Sequence, residues 1–385
     1  VSDRTALGRL VAEHDLTVSL LPAVMHVMVA EICLANKKHM VTASYVKPEM
    51  RALSEAAEKA GVLLLNEIGL DPGIDHMSAM EVIHRAAKEG GRVVEFSSSC
   101  GGLPAPEAND NPLGYKFSWS PRGVLLAAKN SARFLKDGKI VEIPGEELFD
   151  HYQTVKIGDL GDFEVYPNRN SLDYIDIYGL HEARSVFRGT IRNVGHCDSW
   201  RRMVDFGLFD DKAQNAAGLT YRQFMARLIC GDSAADPKQA LAARYGVPES
   251  AALAAKLEWL GMFADEIVQE THISPMDLLL SRMLKTMMFK PGERDMVILQ
   301  DVFTIEYPDR TERVTCDLID FGIPNGDSSM SRTVGLPVAI AVRYILEGRI
   351  SLTGVQVPVK PEVYEPVMQE LGRLGIKFEE RIEVL

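Results

Sequence analysis

From Leu16 the chain reads LTVSLLP, a short apolar run closed by proline, the pattern of a strand buried on both faces of a parallel sheet. Residues 23–36, AVMHVMVAEICLAN, are apolar on more than one face and stop at Asn36-Lys37-Lys38, which predicts a buried helix. A second strand, HMVTAS, follows. Next come KPEMRALSEAAEKAG, a helix with Pro48 near its first turn and Gly61 just past its end, and a third strand, VLLLNE. Ahead of these, VSDRTALGRLVAEHD predicts a helix capped by Ser2 or Asp3. Strands alternating with helices predict a parallel, doubly wound α/β sheet whose ligands sit beyond the carboxyl ends of the strands. The tips to watch are therefore Leu21-Pro22, Ser44-Tyr45 and Gly69-Leu70-Asp71.

Asp71-Pro72-Gly73 predicts a turn, with Asp75 as N-cap of a helix from His76 to about Lys88 that Gly90-Gly91 ends. The strand RVVEFSS then leads into CGGLPAPEANDNPLGYKFSW, residues 100–119, read as a long loop, which in a compact chain binds or covers something. Between about residues 200 and 290 the chain becomes helical and Ala-rich, as an inserted subdomain would. MVILQDVFTIEYP and RTERVTCDLIDFG alternate in the strand period and predict a hairpin turning at Pro308-Asp309, hence a mixed sheet. A long helix, SSMSRTVGLPVAIAVRYILEG, interrupted at Gly335 and Pro337, is expected to return to the first domain. The expected division is a partial Rossmann-like dinucleotide domain at 1–75 with helix 331–350 returning to it. The rest is a mixed α/β substrate and dimerisation domain at 76–200 and 290–330, a helical subdomain at 201–289 and a C-terminal segment at 351–385.

Composition narrows the functional classes. A net charge of -12 with no run of Lys and Arg excludes the electrostatic footprint of a nucleic-acid binder, and an anionic ligand would need a few local arginines working against the overall field. The 5 cysteines are scattered without CxxC spacing, which argues against a disulfide framework or a zinc site and for a reducing compartment. No stretch approaches the roughly 18 apolar residues of a membrane span, and nothing at the N-terminus has signal-peptide form, so a soluble intracellular protein is expected. HExxH, GxSxG and GxxxxGK[ST] are all missing from the sequence, and no metal centre is expected. Missing too, before Leu16, is the Gly-rich turn that opens a dinucleotide fold. Either the chain begins inside that domain, without its first strand, helix and second strand, or the fold binds no cofactor.

Several polar residues fall where such a sheet presents groups to a ligand. Tyr45 follows the second strand, and its alternative is a core aromatic with a satisfied hydroxyl. Asp71 in GLDPG is placed to accept a proton or simply to form the turn. Cys100 closes a strand and opens a glycine pair that would admit close backbone approach, although a lone cysteine is commonly a small buried hydrophobe. Arg169 in YPNRNS and Arg188 in FRGTIR stand beside turn or strand-end residues, where each can fork onto a carboxylate or lie on the surface.

Taken together, SLLP, KKHMVTASYV, NEIGLDPGIDHM, CGGLPAPEANDNPLGYKFSWSPRGVL, YPNRNS, FRGTIR and GERDMVILQ, in this order, resemble saccharopine dehydrogenase of the L-glutamate-forming type. That family includes saccharopine reductase and the C-terminal part of the bifunctional aminoadipic semialdehyde synthases. The resemblance runs along essentially the whole chain and is weakest from about 200 to 290. It implies oxidation of saccharopine, a secondary amine, by NAD or NADP to an imine, whose hydration releases L-glutamate and 2-aminoadipate 6-semialdehyde. It implies roles in proton transfer for Tyr45, Asp71 and Cys100. Substrate contacts fall on Gly101, Lys116, Phe117, Ser118, Trp119, Arg169, Arg188 and Thr190, and cofactor contacts on Leu20, Leu21, Pro22, Thr42, Ala43 and Ser44. It also implies a homodimer in the cytoplasm, or in the mitochondrial matrix for an animal bifunctional synthase. A cofactor-free subunit that keeps the pocket, and a reductase for another amine–aldehyde pair, stay open as alternatives.

Overall fold

The computed structural model describes residues 3–247 and 249–385. Ser2, the other candidate cap of the first helix, lies outside them, and the cap is Asp3, whose carboxylate accepts from the Thr5 and Ala6 N–H groups at 3.0 Å each. The strands are β1 (Leu16–Val18), β2 (His39–Val41), β3 (Leu63–Leu65), β4 (Arg92–Pro104), β5 (Ala132–Lys136), β6 (Lys139–Ile143), β7 (Gln153–Ile157) and β8 (Gly161–Pro167). They continue with β9 (Ser185–Asn193), β10 (Gln214–Asn215), β11 (His272–Ile273), β12 (Asp295–Glu306), β13 (Thr311–Phe321), β14 (Gly354–Gln356) and β15 (Glu379–Val384).

β1, β2, β3 and β14 form a parallel sheet in that order. The helix Ser329–Leu346 packs on β1 and β2, and β14 brings the chain back beside β3. The helix read from Pro48 to Ala60 divides in two, because the chain tightens at Leu53, whose N–H reaches back to Met50 three residues earlier instead of four. Gly61 ends the second piece in the left-handed conformation, as its position predicts.

The second sheet has 9 strands and is mixed: β12 and β13 form the hairpin, β4 pairs antiparallel with β12, and β4 pairs parallel with β9. Residues 100–104, read as loop, are the last part of β4. The strand propensity of glycine is poor, but the whole stretch is paired with β12 along one edge and Cys100 with β9 on the other, and neighbouring side chains use the space the glycines leave. A Cβ on Gly101 would stand 2.5 Å from the Ile191 carbonyl oxygen, and one on Gly102 2.4 Å from Met330 Cε. The glycine pair therefore makes room for protein, not for a ligand's backbone approach. The helix beginning at Ile74 packs on one face of this sheet with the helix Ser329–Leu346, burying Met77, Val82, Leu299, Phe303 and Leu318. The helical segment from His196 to Thr286 covers the upper part of the other face around Phe149, Trp200, Phe224 and Leu278. The five cysteines carry free thiols, Cys230 exposed and the other four buried. Among the described residues, no helix is long and apolar enough to cross a membrane, and no group of His, Cys, Asp and Glu is arranged to hold a metal.

Candidate active site

The GLDPG turn joins β3 to the helix Ile74–Lys88. Gly69 N–H donates to the Pro72 carbonyl (2.9 Å) and Ile74 N–H to the Gly69 carbonyl (2.9 Å). This closure requires glycine at 73, with φ 150° and the site of a Cβ only 2.1 Å from the Gly69 oxygen. The turn leaves Asp71 at the sheet's carboxyl edge. Asp75 is not the N-cap; Gly73 is, and Asp75 lies inside the first turn with its carboxylate folded back to accept from the Gly73 (2.5 Å) and His76 (2.8 Å) N–H groups. Those two donors have no intrahelical partner, which is why an acid one position further in does the same work.

Arg188 lies in the middle of β9, not at a strand end, and is buried. Its guanidinium donates to Asp71 Oδ1 (2.5 Å), to Asp75 Oδ2 and to the Tyr174 hydroxyl, and stacks over the Tyr174 ring at 4.2 Å. Three of its five N–H donors go to these protein groups, and it neutralises two carboxylates of its own chain. The Tyr45 hydroxyl donates to the same Asp71 Oδ1 (2.7 Å), while among the described residues no hydrogen bond reaches Oδ2. Burial and the neighbouring Asp71 push the Tyr45 phenol well above its ordinary value, and burial with the same carboxylate does so for the Cys100 thiol, so both keep their protons at neutral pH. Arg169, exposed and in the left-handed region at φ 54°, places its guanidinium 5.4 Å from the centre of the Tyr45 ring. Non-glycine residues held in that region cluster at functional sites.

Strand register fixes the rest of the floor. Cys100 stands beside Thr190, and Arg188, Thr190 and Arg192 share one face of β9. Arg192 is the residue the sequence reading missed. It is 6% exposed, among the described residues no carboxylate oxygen lies within salt-bridge distance of it, and its Nε has no partner. Its one hydrogen bond runs to the Ile191 carbonyl (2.8 Å), and its guanidinium lies 5.1 Å from the Tyr115 ring centre and 6.0 Å from that of Tyr166. Glu164, opposite it on β8, spends both oxygens on the Gly195 and Cys197 N–H groups at 2.7 Å. A guanidinium buried without a counter-ion is costly.

The 116–119 segment divides. Lys116 is buried and its Nζ pairs with Asp110 (2.8 Å) and Glu293 (2.7 Å), and Phe117 packs in the core with its N–H on the Met287 carbonyl (3.0 Å). Ser118 keeps a buried, unpartnered Oγ beside Gly102, and Trp119 is 42% exposed. Gly101 faces Ile191. Beneath Tyr45 lies a pair that sequence reasoning also missed: Glu67 Oε2 meets His76 Nε2 at 2.7 Å, with both residues buried. Burial pushes the Glu67 carboxyl up, but hydrogen bonds from His76 and the Val46 N–H outweigh it and the net displacement is downward.

At the tips of β1 and β2, Leu20 is 75% exposed and nearby Val24 79%, an uncovered apolar ledge; Leu21, Ala43 and Ser44 are half-buried and Pro22 is exposed. Thr42 is buried, with its N–H on the Leu65 carbonyl (2.9 Å). His26 bridges the two tips, Nδ1 to Ser19 Oγ and Nε2 to Ser44 Oγ, each at 2.8 Å. A ledge of exposed apolar side chains beside open strand ends fits the flat ring of a nicotinamide cofactor.

A parallel sheet with open tips, facing a buried cluster of tyrosine, carboxylate, thiol and guanidinium groups, is the arrangement of a dinucleotide-dependent oxidoreductase of the α/β class. Residues 69–376 match the family model for the saccharopine dehydrogenase C-terminal domain, and residues 1–65 that for the saccharopine dehydrogenase NADP binding domain. The chain belongs to the saccharopine dehydrogenase family. It is 41% identical to the saccharopine dehydrogenase [NADP(+), L-glutamate-forming] of Schizosaccharomyces pombe, over 99% of this chain and 87% of that protein. It is 39% identical to the mitochondrial alpha-aminoadipic semialdehyde synthase of Bos taurus, over 97% of this chain and 41% of that longer protein. The solved structure of apo saccharopine dehydrogenase (L-Glu forming) from Saccharomyces cerevisiae superimposes with a TM-score of 0.91 at 37% identity, covering 99% of this chain and 88% of that one.

Proposed function

We propose that this chain is an NAD(P)-dependent oxidoreductase of lysine metabolism that interconverts saccharopine with L-glutamate and 2-aminoadipate 6-semialdehyde. The observation that carries the reading is Arg192, a buried cation with no counter-ion among the described residues, on the same strand face as Thr190, which stands beside Cys100. Saccharopine has three carboxylates, and one of them supplies the missing partner through a bidentate contact, with Arg169 taking a second from the solvent side. Arg188, expected as a clamp, serves in our reading to hold Asp71 and Asp75 in place, because both carboxylates already take hydrogen bonds from it.

Leu20–Pro22 and Thr42–Ser44 at the strand tips would hold the nicotinamide cofactor, which would supply hydride exchange at the carbon next to the secondary nitrogen. The protein's own part is proton handling. Asp71 offers Oδ2 to the nitrogen's proton, while Tyr45 and Arg188 on Oδ1 fix the carboxylate's orientation. The resulting imine takes up water, and collapse of the carbinolamine breaks the carbon–nitrogen bond, which needs a proton returned to nitrogen. Tyr45, whose hydroxyl is hydrogen-bonded to that carboxylate, and Cys100, held protonated beside Thr190, are the groups we assign to that return.

We assign residues 1–75, the returning helix and β14 to the cofactor side and β15 to the substrate side, so that 351–385 is shared between the two sheets, and we expect a homodimer, measured by light scattering after size exclusion, in a reducing compartment. The test of the reaction is reduction of NADP, and separately of NAD, on addition of saccharopine, followed by nicotinamide absorbance and by glutamate formation. Turnover establishes the reading; no turnover with either cofactor, or turnover only with a different amine–aldehyde pair, overturns it.

A further inference from the structure

Tyr45 is gripped from below by one residue. The N–H of Glu67, just past β3, donates to the Ser44 carbonyl (3.2 Å), and its Oε1 accepts from the Val46 N–H (2.7 Å). Those are the two peptide groups on either side of the Tyr45 α-carbon, so a single residue fixes the backbone on both sides of the tyrosine. To reach both, Glu67 adopts φ 57°, a conformation that residues with a side chain seldom take. Its other oxygen is held by His76 Nε2 (2.7 Å), and His76 Nδ1 is held in turn by the Tyr178 hydroxyl (2.8 Å). With His76 fully buried and Glu67 5% exposed, no solvent competes for these bonds. The His76 ring also stacks on Tyr174 at 5.6 Å, and Tyr174 is the ring under Arg188, so the same support lies beneath both groups that bond Asp71 Oδ1.

We infer that Glu67 is a positioning residue for the reaction: it sets the orientation in which the Tyr45 hydroxyl meets Asp71, and His76 with Tyr178 locks its rotamer. This rests on the role given to Tyr45 under Proposed function. Glu67 touches no reacting atom, and its effect is felt only through Tyr45. Small misplacements of a group in the reacting constellation reduce the rate far more than they weaken binding.

The experiment is a double-mutant cycle in the whole chain, with kcat and KM for saccharopine measured for Tyr45→Phe, Glu67→Met, Glu67→Gln and the double Glu67→Met/Tyr45→Phe. Glu67→Met removes both side-chain bonds at similar volume and is expected to lower kcat about ten- to hundredfold with KM changed by less than about threefold. Glu67→Gln keeps an acceptor for Val46 and a partner for His76 and is expected to retain kcat within about threefold. The double variant should be no slower than the slower of its parents, because the second change removes an arrangement already lost. Multiplying losses, or a Glu67→Met that only lowers melting temperature while kcat per folded molecule is unchanged, overturns the inference alone. An unchanged kcat in Tyr45→Phe overturns the reading of Tyr45 beneath it, and the inference with it. If Glu67→Met does not fold, Tyr178→Phe loosens only the outer tether of His76. It is expected to lower kcat by about a few-fold without multiplying the effect of Tyr45→Phe, and multiplying effects would overturn the inference.

Discussion

Asp301 offers a quantitative test of how this interior handles charge. It lies on β12 with no exposed surface, across the ladder from Ser98 and Cys316; Ser78 donates to Oδ2 at 2.5 Å and Oδ1 has no partner. Burial pushes its carboxyl from 3.8 up to about 7, helped by nearby Asp75 and opposed by the hydrogen bond from Ser78 and by Arg188. Below about pH 3.8 the group is protonated in both folded and unfolded chains and contributes no pH dependence. Between the two values the unfolded chain has lost the proton and the folded one has kept it, so stability falls as pH rises; above about 7 the penalty is complete. Three pH units at about 1.4 kcal/mol each give a penalty on the order of 4 kcal/mol at alkaline pH. Asp301→Asn keeps the shape and the Ser78 contact but carries no charge. Urea unfolding of both proteins should therefore show the variant gaining about 2–3 kcal/mol relative to wild type between pH 5 and pH 8, by the same conversion. Parallel pH dependences in the two proteins would refute the reasoning and mean that Asp301 is ionised and solvated by water inside the fold.

Two further outcomes are expected. Arg169→Ala should raise KM for saccharopine about tenfold or more with a smaller change in kcat, since it removes a charged hydrogen bond from an exposed position; unchanged kinetics would remove Arg169 from the site. Gly73→Ala should fail to fold or melt far below wild type, because its Cβ has no room beside the Gly69 carbonyl; normal melting, read by circular dichroism, would mean that the GLDPG turn can open without loss of the core.

The strand tips were legible because a parallel strand is written locally, as an apolar run with a stop; VLLLNE is buried as expected, whereas LTVSLLP, expected to be buried on both faces, is the edge strand of its sheet with Val18 41% exposed, because β1 has a neighbouring strand on one side only. Which charged residue binds ligand is written elsewhere. FRGTIR holds two arginines four positions apart on one strand face, and nothing within the motif says that Asp71, 117 residues earlier, neutralises the first and leaves the second unmatched. Glu67 and His76 were invisible for a similar reason: in sequence a buried hydrogen-bonded pair looks like two ordinary polar residues, and only the fold removes the water between them. CGGLP was read as loop because glycine and proline are poor strand formers, yet pairing along the stretch outweighs propensity when the missing side chains are what lets neighbours close in. Asp75 was placed as a cap by its neighbourhood to the turn. The helix starts earlier because Gly73 alone tolerates the entry geometry.

The central claim, that Arg192 waits for a carboxylate of the ligand, is tested most directly by Arg192→Met, measured twice. Saccharopine titration calorimetry should show binding about tenfold to a hundredfold weaker, the loss of a charged hydrogen-bonded contact. Thermal unfolding without ligand should show the variant at least as stable as wild type, since an unpaired buried charge has been replaced by an apolar side chain of similar length. Unchanged affinity, or a large loss of ligand-free stability together with normal binding, would mean that Arg192 is a structural cation with its partners inside the protein, and the account of the site would be contradicted.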